Sequence, residues 1–226
     1  RPAPATGMPT WTEQGDLLFA VHAGHGDFPK IVLAPGDVEE MHELTTKAFD
    51  LADIYQTPVI VMSDKFLSES HQSVTEENIN KFSQNYQPNR GKIVSKLDNP
   101  KYQRYQVTDD GISPMLIPGT KGTFYQSNSY EHLENGHTTE QANERIKQAN
   151  KRYRKQQTFL KKDFQKPIIY GDLEKSEIVF VSWGSNKGPI LETMKELENA
   201  SFIHFTYVYP LDPKIISSFF PKDKRY

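Results

Sequence analysis

Pro29-Lys30-Ile31-Val32-Leu33-Ala34, a turn at Pro35-Gly36, the run from Asp37 to Gln56, and Val59-Ile60-Val61-Met62 closing on Ser63-Asp64 form the stretch that settles the architecture. Pro29 to Ala34 is a short apolar run of the kind found in a parallel strand buried on both faces. From Asp37 the period changes. Val38, Met41, Leu44, Ala48, Leu51 and Tyr55 recur at three- and four-residue intervals, which marks one apolar face of a helix. Asp37 and Glu40 stand at capping-box spacing before its first turn. Val59 to Met62 is a second buried strand. Strand, helix and strand in so short a span make a βαβ unit with a right-handed crossover, and the fold class is α/β.

C-terminal to this unit the texture changes twice. From Ser70 to about Gly136 long apolar runs give way to Asn, Gln, Ser, Pro and Tyr, an irregular excursion with short strands expected at Tyr105–Val107 and Thr123–Gln126. A long helix is then expected from Thr138 to about Phe164, capped by Thr138 and Gln141. Ala142, Ile146, Ala149, Tyr153 and Leu160 mark one face; Arg145, Lys147, Lys151, Arg152, Arg154, Lys155, Lys161 and Lys162 mark the other, read as a solvated face. The α/β pattern restarts with a strand at Glu177–Trp183, a loop at Gly184–Gly188 and a helix opened by Pro189. Phe202–Val208 is the next strand, and Asp212 begins a short helix.

Composition narrows the class. The 226 residues are 36% hydrophobic, enough for one large or two small globular domains. A net charge of −2 gives no case for nucleic acid or for a membrane surface. No apolar run reaches bilayer-spanning length and no signal peptide is visible. Cysteine is absent, which excludes disulfides and Cys-ligated zinc or iron–sulfur clusters within these residues. The start at Arg1 and the stop soon after a short helix both read as truncations of a longer chain.

N-terminal to the βαβ unit stands Arg1-Pro2-Ala3-Pro4-Ala5-Thr6-Gly7-Met8-Pro9-Thr10-Trp11-Thr12-Glu13-Gln14-Gly15-Asp16. It is too stiff and turn-rich for core helix or strand. A short helix follows from Gln14 to Val21, with Thr10 and Glu13 at capping-box spacing, and breaks at Gly24-His25-Gly26. A stiff loop that presents hydroxyls, backbone N–H groups and a guanidinium beside a helix suits an anionic ligand. A rigid, well-capped connection is the plainer reading of the same residues.

Other chemistry-bearing patterns are weaker. Gly184-Ser185-Asn186-Lys187-Gly188 lacks the spacing and ending of a phosphate loop and reads as a tight strand-to-helix turn. His22 and His25 lie three apart but on a frayed helix end, a poor metal platform. Glu131, His132 and His137 suit a hydrogen-bonded turn better than a metal or acid–base cluster.

Four segments together carry a resemblance. Thr6-Gly7-Met8-Pro9-Thr10 running into Glu13-Gln14-Gly15-Asp16-Leu17 is similar to the alpha subunit of the 2-oxoacid:ferredoxin oxidoreductases, particularly the 2-oxoglutarate type. Tyr55–Asp64, then Asp110-Gly111-Ile112-Ser113-Pro114 with Ile117-Pro118-Gly119, Glu131-His132 and Gly136-His137, then Val181-Ser182-Trp183-Gly184-Ser185, resemble later segments of that subunit in order and spacing. Two departures stand out: Pro2-Ala3-Pro4-Ala5 replaces a more usual Gly-containing turn, and Met115 stands where a basic residue is common.

The resemblance implies a thiamine-diphosphate-binding (pyrimidine-domain) fold, its C-terminal part at residues 1–70, and the start of a transketolase C-terminal-like α/β domain at residues 167–226. Residues 71–166 would link the two as an irregular excursion plus the long basic helix. It implies oxidative decarboxylation of a 2-oxoacid, with thiamine diphosphate as electron sink, coenzyme A as acyl acceptor and ferredoxin as electron acceptor. The cofactor and its Mg2+ would be shared with a beta subunit that also carries the iron–sulfur cluster, and the carboxylate that activates the pyrimidine would lie upstream of Arg1. Arg1 and Thr10 match the substrate-binding arginine and threonine of the family, and a guanidinium with a hydroxyl suits a carboxylate beside a carbonyl. No catalytic residue is assigned to this segment alone. Cytoplasmic residence goes with this reading. Two other classes stay open: a non-catalytic transketolase-type scaffold subunit, separable by its upstream carboxylate, and a lipoamide-linked 2-oxoacid dehydrogenase component, separable by the cysteine content of the neighbouring subunit.

Overall fold

A computed structural model describes residues 7–13, 15–26, 28–83, 86–95 and 102–220. In chain order the elements are α1 (Asp16–His22), β1 (Ile31–Leu33), α2 (Val38–Tyr55), β2 (Val59–Val61), α3 (Lys65–Glu69), α4 (Glu76–Ser83), β3 (Ile93–Val94), β4 (Met115–Leu116), α5 (Ala142–Lys162), β5 (Ile168–Tyr170), β6 (Ile178–Trp183), α6 (Lys187–Met194), β7 (Ala200–Phe205), β8 (Tyr207–Tyr209) and α7 (Pro213–Ser217). A 3-10 turn at Gly184–Asn186 joins β6 to α6.

The βαβ unit forms where the period placed it. β1 and β2 pair in parallel with Ile31 opposite Val59, and α2 crosses between them. The Asp37 carboxylate accepts from Glu40 N at 2.8 Å. Glu40 reaches back one residue beyond the usual box, accepting from Gly36 N at 2.7 Å. Leu44, Ala48, Leu51 and Tyr55 are the buried face of α2. β1 is buried on both sides: Ile31 and Leu33 join one core with α2, while Val32 and Ala34 join a second with Val179, Ile203 and Phe205. That two-sided burial is why the run carries no polar residue after Lys30.

The strand expected at Phe202–Val208 is two strands. β7 lies between β5 and β6, parallel to β6 and antiparallel to β5. At Thr206 the chain leaves that sheet, Thr206 O accepts from Ala34 N at 2.8 Å, and β8 continues antiparallel to β1. One apolar run therefore serves two sheets, β2-β1-β8 and β5-β7-β6.

Within the excursion the expected strands at Tyr105–Val107 and Thr123–Gln126 are irregular; the short pair β3 and β4 forms instead. The larger correction concerns the middle of α5, where the expected faces are exchanged, although Leu160 packs on the core and Arg145, Lys147, Lys161 and Lys162 are exposed as expected. Ile146 and Tyr153 are 59% and 62% exposed, whereas Lys151 and Lys155 are only 5% and 9% exposed, beside buried Gln148 and Phe159. The reason is hydrogen-bond demand. An irregular segment packed on a helix buries carbonyls that no strand neighbour satisfies. Gln148 Nε2 and Lys151 Nζ both donate to Tyr105 O (3.1 and 2.9 Å), Lys151 also to Ser113 Oγ (2.9 Å), and Arg154 to Thr108 O (3.2 Å). The Asp110-Gly111 turn lies so close that a Cβ on Gly111 would sit 2.4 Å from Lys155 N, and its φ of 78° suits glycine in any case.

Gln56, which ends α2 in the left-handed conformation at φ 48°, ties these parts together. Its carbonyl accepts from Lys155 Nζ at 2.9 Å, its Oε1 from Arg104 Nη1 at 2.8 Å, and its Nε2 donates to Ser113 O at 2.7 Å. Two terminal caps differ from the sequence reading: α1 is entered through Gly15 and α5 through Gln141, without side-chain capping bonds among the described residues, so Thr10–Glu13 and Thr138–Gln141 are not capping boxes.

Candidate functional site

Three chain segments meet around a cleft of about 520 Å3. The first is the opening loop, Pro9 to Glu13, which turns through a Trp11 N to Met8 O bond of 3.1 Å. The second is Met62 to Glu69, the end of β2 running into α3. The third is Trp183 to Asn186, where β6 ends. The cleft thus opens at the carboxyl ends of two parallel-paired strands, where the sheet's backbone has been used up and loops are free to present side chains; ligand sites in open α/β sheets favour that position.

Local bonding fixes the walls. Lys65 N donates to Thr12 Oγ1 at 3.3 Å, and the Lys65 ammonium stands 5.2 Å from the centre of the Trp11 ring. These contacts dock the opening loop on α3, which Asp64 caps through Leu67 N at 3.0 Å. Ser63 and Ser68 share a hydroxyl hydrogen bond of 2.9 Å. On the opposite wall Asn186 Nδ2 donates to Ser182 Oγ at 3.1 Å, and Gly184 turns at φ 72° facing the Asp64 carboxylate.

Of the residues singled out from the sequence, Thr10 lines this cleft and is exposed, with no part in capping α1. Arg1 lies outside the described residues. Sequence reasoning did not bring Ser63, Lys65, Ser185 and Asn186 to Thr10, though Ser63-Asp64 and Gly184-Ser185 sat at strand ends within the quoted segments. The position after a buried strand was the usable signal. The Gly184–Gly188 stretch is the tight turn expected, but α6 begins at Lys187, ahead of Pro189.

The remaining candidates serve the scaffold. Glu131 accepts from Arg145 at 2.7 Å and from both Arg152 nitrogens at 3.1 and 2.7 Å. Burial alone would raise its carboxyl, but the two guanidiniums outweigh it and hold it at about 2. The His132 ring stacks on Tyr105 at 3.9 Å with Nδ1 3.1 Å from Leu133 O, and Leu133 N donates to His137 O at 2.8 Å. This is a hydrogen-bonded turn. His22 ends α1 and lines a separate groove against α5 with Lys30, Tyr153 and Tyr209, while His25 lies exposed in the glycine-rich loop.

Behind the third wall lies a half-buried ionic cluster. Lys187 Nζ donates to the Asp37 carboxylate and, at 2.6 Å, to Glu40 Oε1. Glu40 Oε2 faces His204 Nε2 at 3.0 Å, and the His204 side chain is fully buried. Burial pushes Glu40 up, yet the hydrogen bonds from His204 and Lys187 bring it down to about 2; the two carboxylates hold Lys187 above the ordinary lysine range despite burial.

A strand-end cleft with hydroxyls on facing walls, set in a mixed α/β frame with βαβ topology, defines a cofactor- or substrate-binding α/β domain. The family described as pyruvate flavodoxin/ferredoxin oxidoreductase, thiamine diphosphate-binding, matches residues 1–151, and the chain belongs to that family. It is 41% identical over 202 residues to the 2-oxoacid:ferredoxin oxidoreductase subunit alpha of Saccharolobus solfataricus, covering 88% of this chain and 31% of that subunit. Against 2-oxoacid:ferredoxin oxidoreductase 2, subunit alpha, of Aeropyrum pernix it is 39% identical over 224 residues, covering 96% of this chain and 34% of the relative. The 2-oxoglutarate:ferredoxin oxidoreductase from Magnetococcus marinus, solved with 2-oxoglutarate, coenzyme A and succinyl-CoA bound, superimposes with a TM-score of 0.83 at 29% identity, over 97% of this chain and 38% of that one. The chain spans about a third of the length of these relatives.

Proposed function

We propose that this chain is the portion of a 2-oxoacid:ferredoxin oxidoreductase alpha subunit that supplies the substrate-facing wall, and that the substrate is 2-oxoglutarate. The observation that carries the reading is the placement of Thr10 in a strand-end cleft of a chain that superimposes on an enzyme solved with that substrate. Shorter similarity to 2-oxoglutarate synthase subunit KorA of Archaeoglobus fulgidus, 46% identity over 74 residues covering 33% of this chain, supports the same substrate class.

The chain's own residues supply binding and orientation. The Thr10 hydroxyl donates to a carboxylate or carbonyl oxygen of the 2-oxoacid, and Arg1 grips the carboxylate with two parallel hydrogen bonds. Ser63, Ser185 and Asn186 offer further neutral donors around the same space. Holding the 2-oxo carbon in one orientation is the contribution such a wall makes to rate. Thiamine diphosphate, when bound, supplies the electron sink for loss of carbon dioxide. The residues present fit one wall of its site: the Trp183 indole and the Met62 thioether give apolar contact, and Ser63 and Ser185 give the few polar atoms a heterocycle needs. In this reading the diphosphate with its Mg2+ and the iron–sulfur cluster belong to the beta subunit, coenzyme A takes the acyl group and ferredoxin the electrons. Residues 1–70 complete the pyrimidine-binding domain, 71–166 link, and 167–226 begin the transketolase C-terminal-like domain.

The test uses the full-length subunit assembled with its beta partner. Ferredoxin reduction dependent on 2-oxoglutarate and coenzyme A is expected, with kcat/KM lowered roughly ten- to hundredfold by Thr10→Ala and further by Arg1→Ala while thiamine diphosphate stays bound. A folded, cofactor-loaded complex inactive on every 2-oxoacid would leave the scaffold reading. Transfer to lipoamide in place of ferredoxin reduction would leave the dehydrogenase reading.

A further inference from the structure

The Gly184–Asn186 turn forms one wall of the cleft, and little within the turn itself holds it there. Among the described residues its side-chain hydrogen bonds are those of Asn186 to Ser182 and, at 3.5 Å, to Trp183 O. The next residue, Lys187, is different. It reaches across to the start of α2 and ends between Asp37 and Glu40 at 13% side-chain exposure. Glu40 is itself gripped by Gly36 N at 2.7 Å and His204 Nε2 at 3.0 Å. Because a carboxylate can only accept, the His204 Nε2–H donates to Glu40, and among the described residues the buried Nδ1 makes no hydrogen bond. Gly36 admits this packing: a Cβ there would stand 2.8 Å from both Lys187 Cδ and His204 Cε1.

We infer that Lys187 and Glu40 are positioning residues, a half-buried clamp that sets the Gly184–Asn186 wall at the distance from Thr10 at which the 2-oxoacid is held. The inference rests on the reading of the Thr10 cleft as the substrate site. The clamp ties the start of α6 to the start of α2 by side chains: α2 belongs to the first βαβ unit and α6 follows β6 of the other sheet, while the backbone joins those sheets elsewhere, through β7 and β8. An ion pair between a flexible lysine and an exposed acid would not fix a wall to within an ångström. This one is largely enclosed, the Lys187 and Glu40 side chains each 13% exposed, and the Glu40 carboxylate is also bonded by Gly36 N and His204 Nε2, which restricts its geometry.

The deciding experiment uses the full-length subunit assembled with its beta partner. Lys187→Met alone leaves Glu40 buried without its cation and can fail to fold. The double variant Lys187→Met/Glu40→Gln removes both charges and keeps an acceptor for Gly36 and His204. It is expected to raise KM for 2-oxoglutarate roughly tenfold with kcat within about twofold, because a displaced wall weakens binding more than chemistry. Hydrogen exchange in a peptide spanning Gly184–Lys187 is expected to quicken. Lys187→Arg, which keeps the cation and its reach, is expected to restore KM to within about threefold. An unchanged KM in the double variant overturns the inference, as does a loss of kcat that simply tracks a lower melting temperature. Thr10→Ala run alongside separates the two levels: if it is silent the substrate reading falls, and if it raises KM while the double variant does not, only the clamp falls.

Discussion

Two of the regions that draw lysine side chains out of solvent hold them in opposite ways. Lys187 is enclosed by carboxylates and held charged, above the ordinary lysine range. Lys151 and Lys155 have carbonyl and hydroxyl oxygens as partners, lie near Arg104 and Arg152, and are pushed down, chiefly by burial, to about 7 and about 8. The first is an electrostatic joint between two helices. The second is a set of long hydrogen-bond donors that fasten α5 to an irregular segment, through Lys151, and to the end of α2, through Lys155. A buried cation without a counterion is tolerable here because its donors satisfy carbonyls that would otherwise be stranded. A lysine in a helix therefore says little about solvent until its neighbours are known.

The contrast can be broken most severely at the paired site. Lys187→Met is expected to cost about 3–5 kcal/mol of unfolding free energy, since it strands Glu40, with Glu40→Gln in the same chain recovering much of the loss; chemical denaturation of the full-length subunit measures both. Lys151→Met is expected to cost less, about 1–3 kcal/mol, because Tyr105 O keeps its bond from Gln148 while Ser113 Oγ loses its buried partner.

The pH dependence separates the regions by sign. Between their depressed folded values, about 7 and about 8, and an unfolded value near 10.4, Lys151 and Lys155 bind more protons in the unfolded chain, so stability rises with pH across that window by at most about 1.4 kcal/mol per unit per group. Lys187 is raised, so its contribution is complete below the unfolded value and fades only as pH climbs through the folded one, outside that window. The upward slope in melting temperature from pH 7 to 9 is expected to shrink in Lys151→Met and to persist in Lys187→Arg. Glu40, lowered to about 2, adds stability that is present above the unfolded glutamate value and drains as pH falls from about 5 toward 2. The smallest effect is expected on the surface: Arg145→Ala should change stability by less than about 1 kcal/mol, because Arg152 keeps Glu131 paired.

How much of this could be read in advance follows the range of the forces involved. The α2 face of Leu44, Ala48, Leu51 and Tyr55 was legible because one helix period places those side chains together whatever lies opposite. The same logic failed on α5. Its period predicts apolar residues inside along its whole length, and Leu160 does pack on the core, but the element packed on its middle turns is an irregular chain with unmet carbonyls, so polar donors go inside there. The break at Thr206 was equally invisible, since an unbroken apolar run is compatible with one strand or with two strands in different sheets. At the cleft, Thr10 was marked by its motif, whereas its association with Ser63 and Ser185 is a product of chain crossings.

From the residues alone came the α/β class and the βαβ unit with its Asp37 cap, which depend on neighbours within a turn or a strand, together with the absence of cysteine chemistry, a matter of composition, and the family resemblance, carried by four contiguous motifs. The tertiary structure alone decided which lysines are buried, that β8 returns to the first sheet, and that Lys187 meets Glu40 across 147 positions of chain. Burial and charge pairing are set by what packs opposite a residue, and for these residues the opposing surface comes from distant parts of the chain.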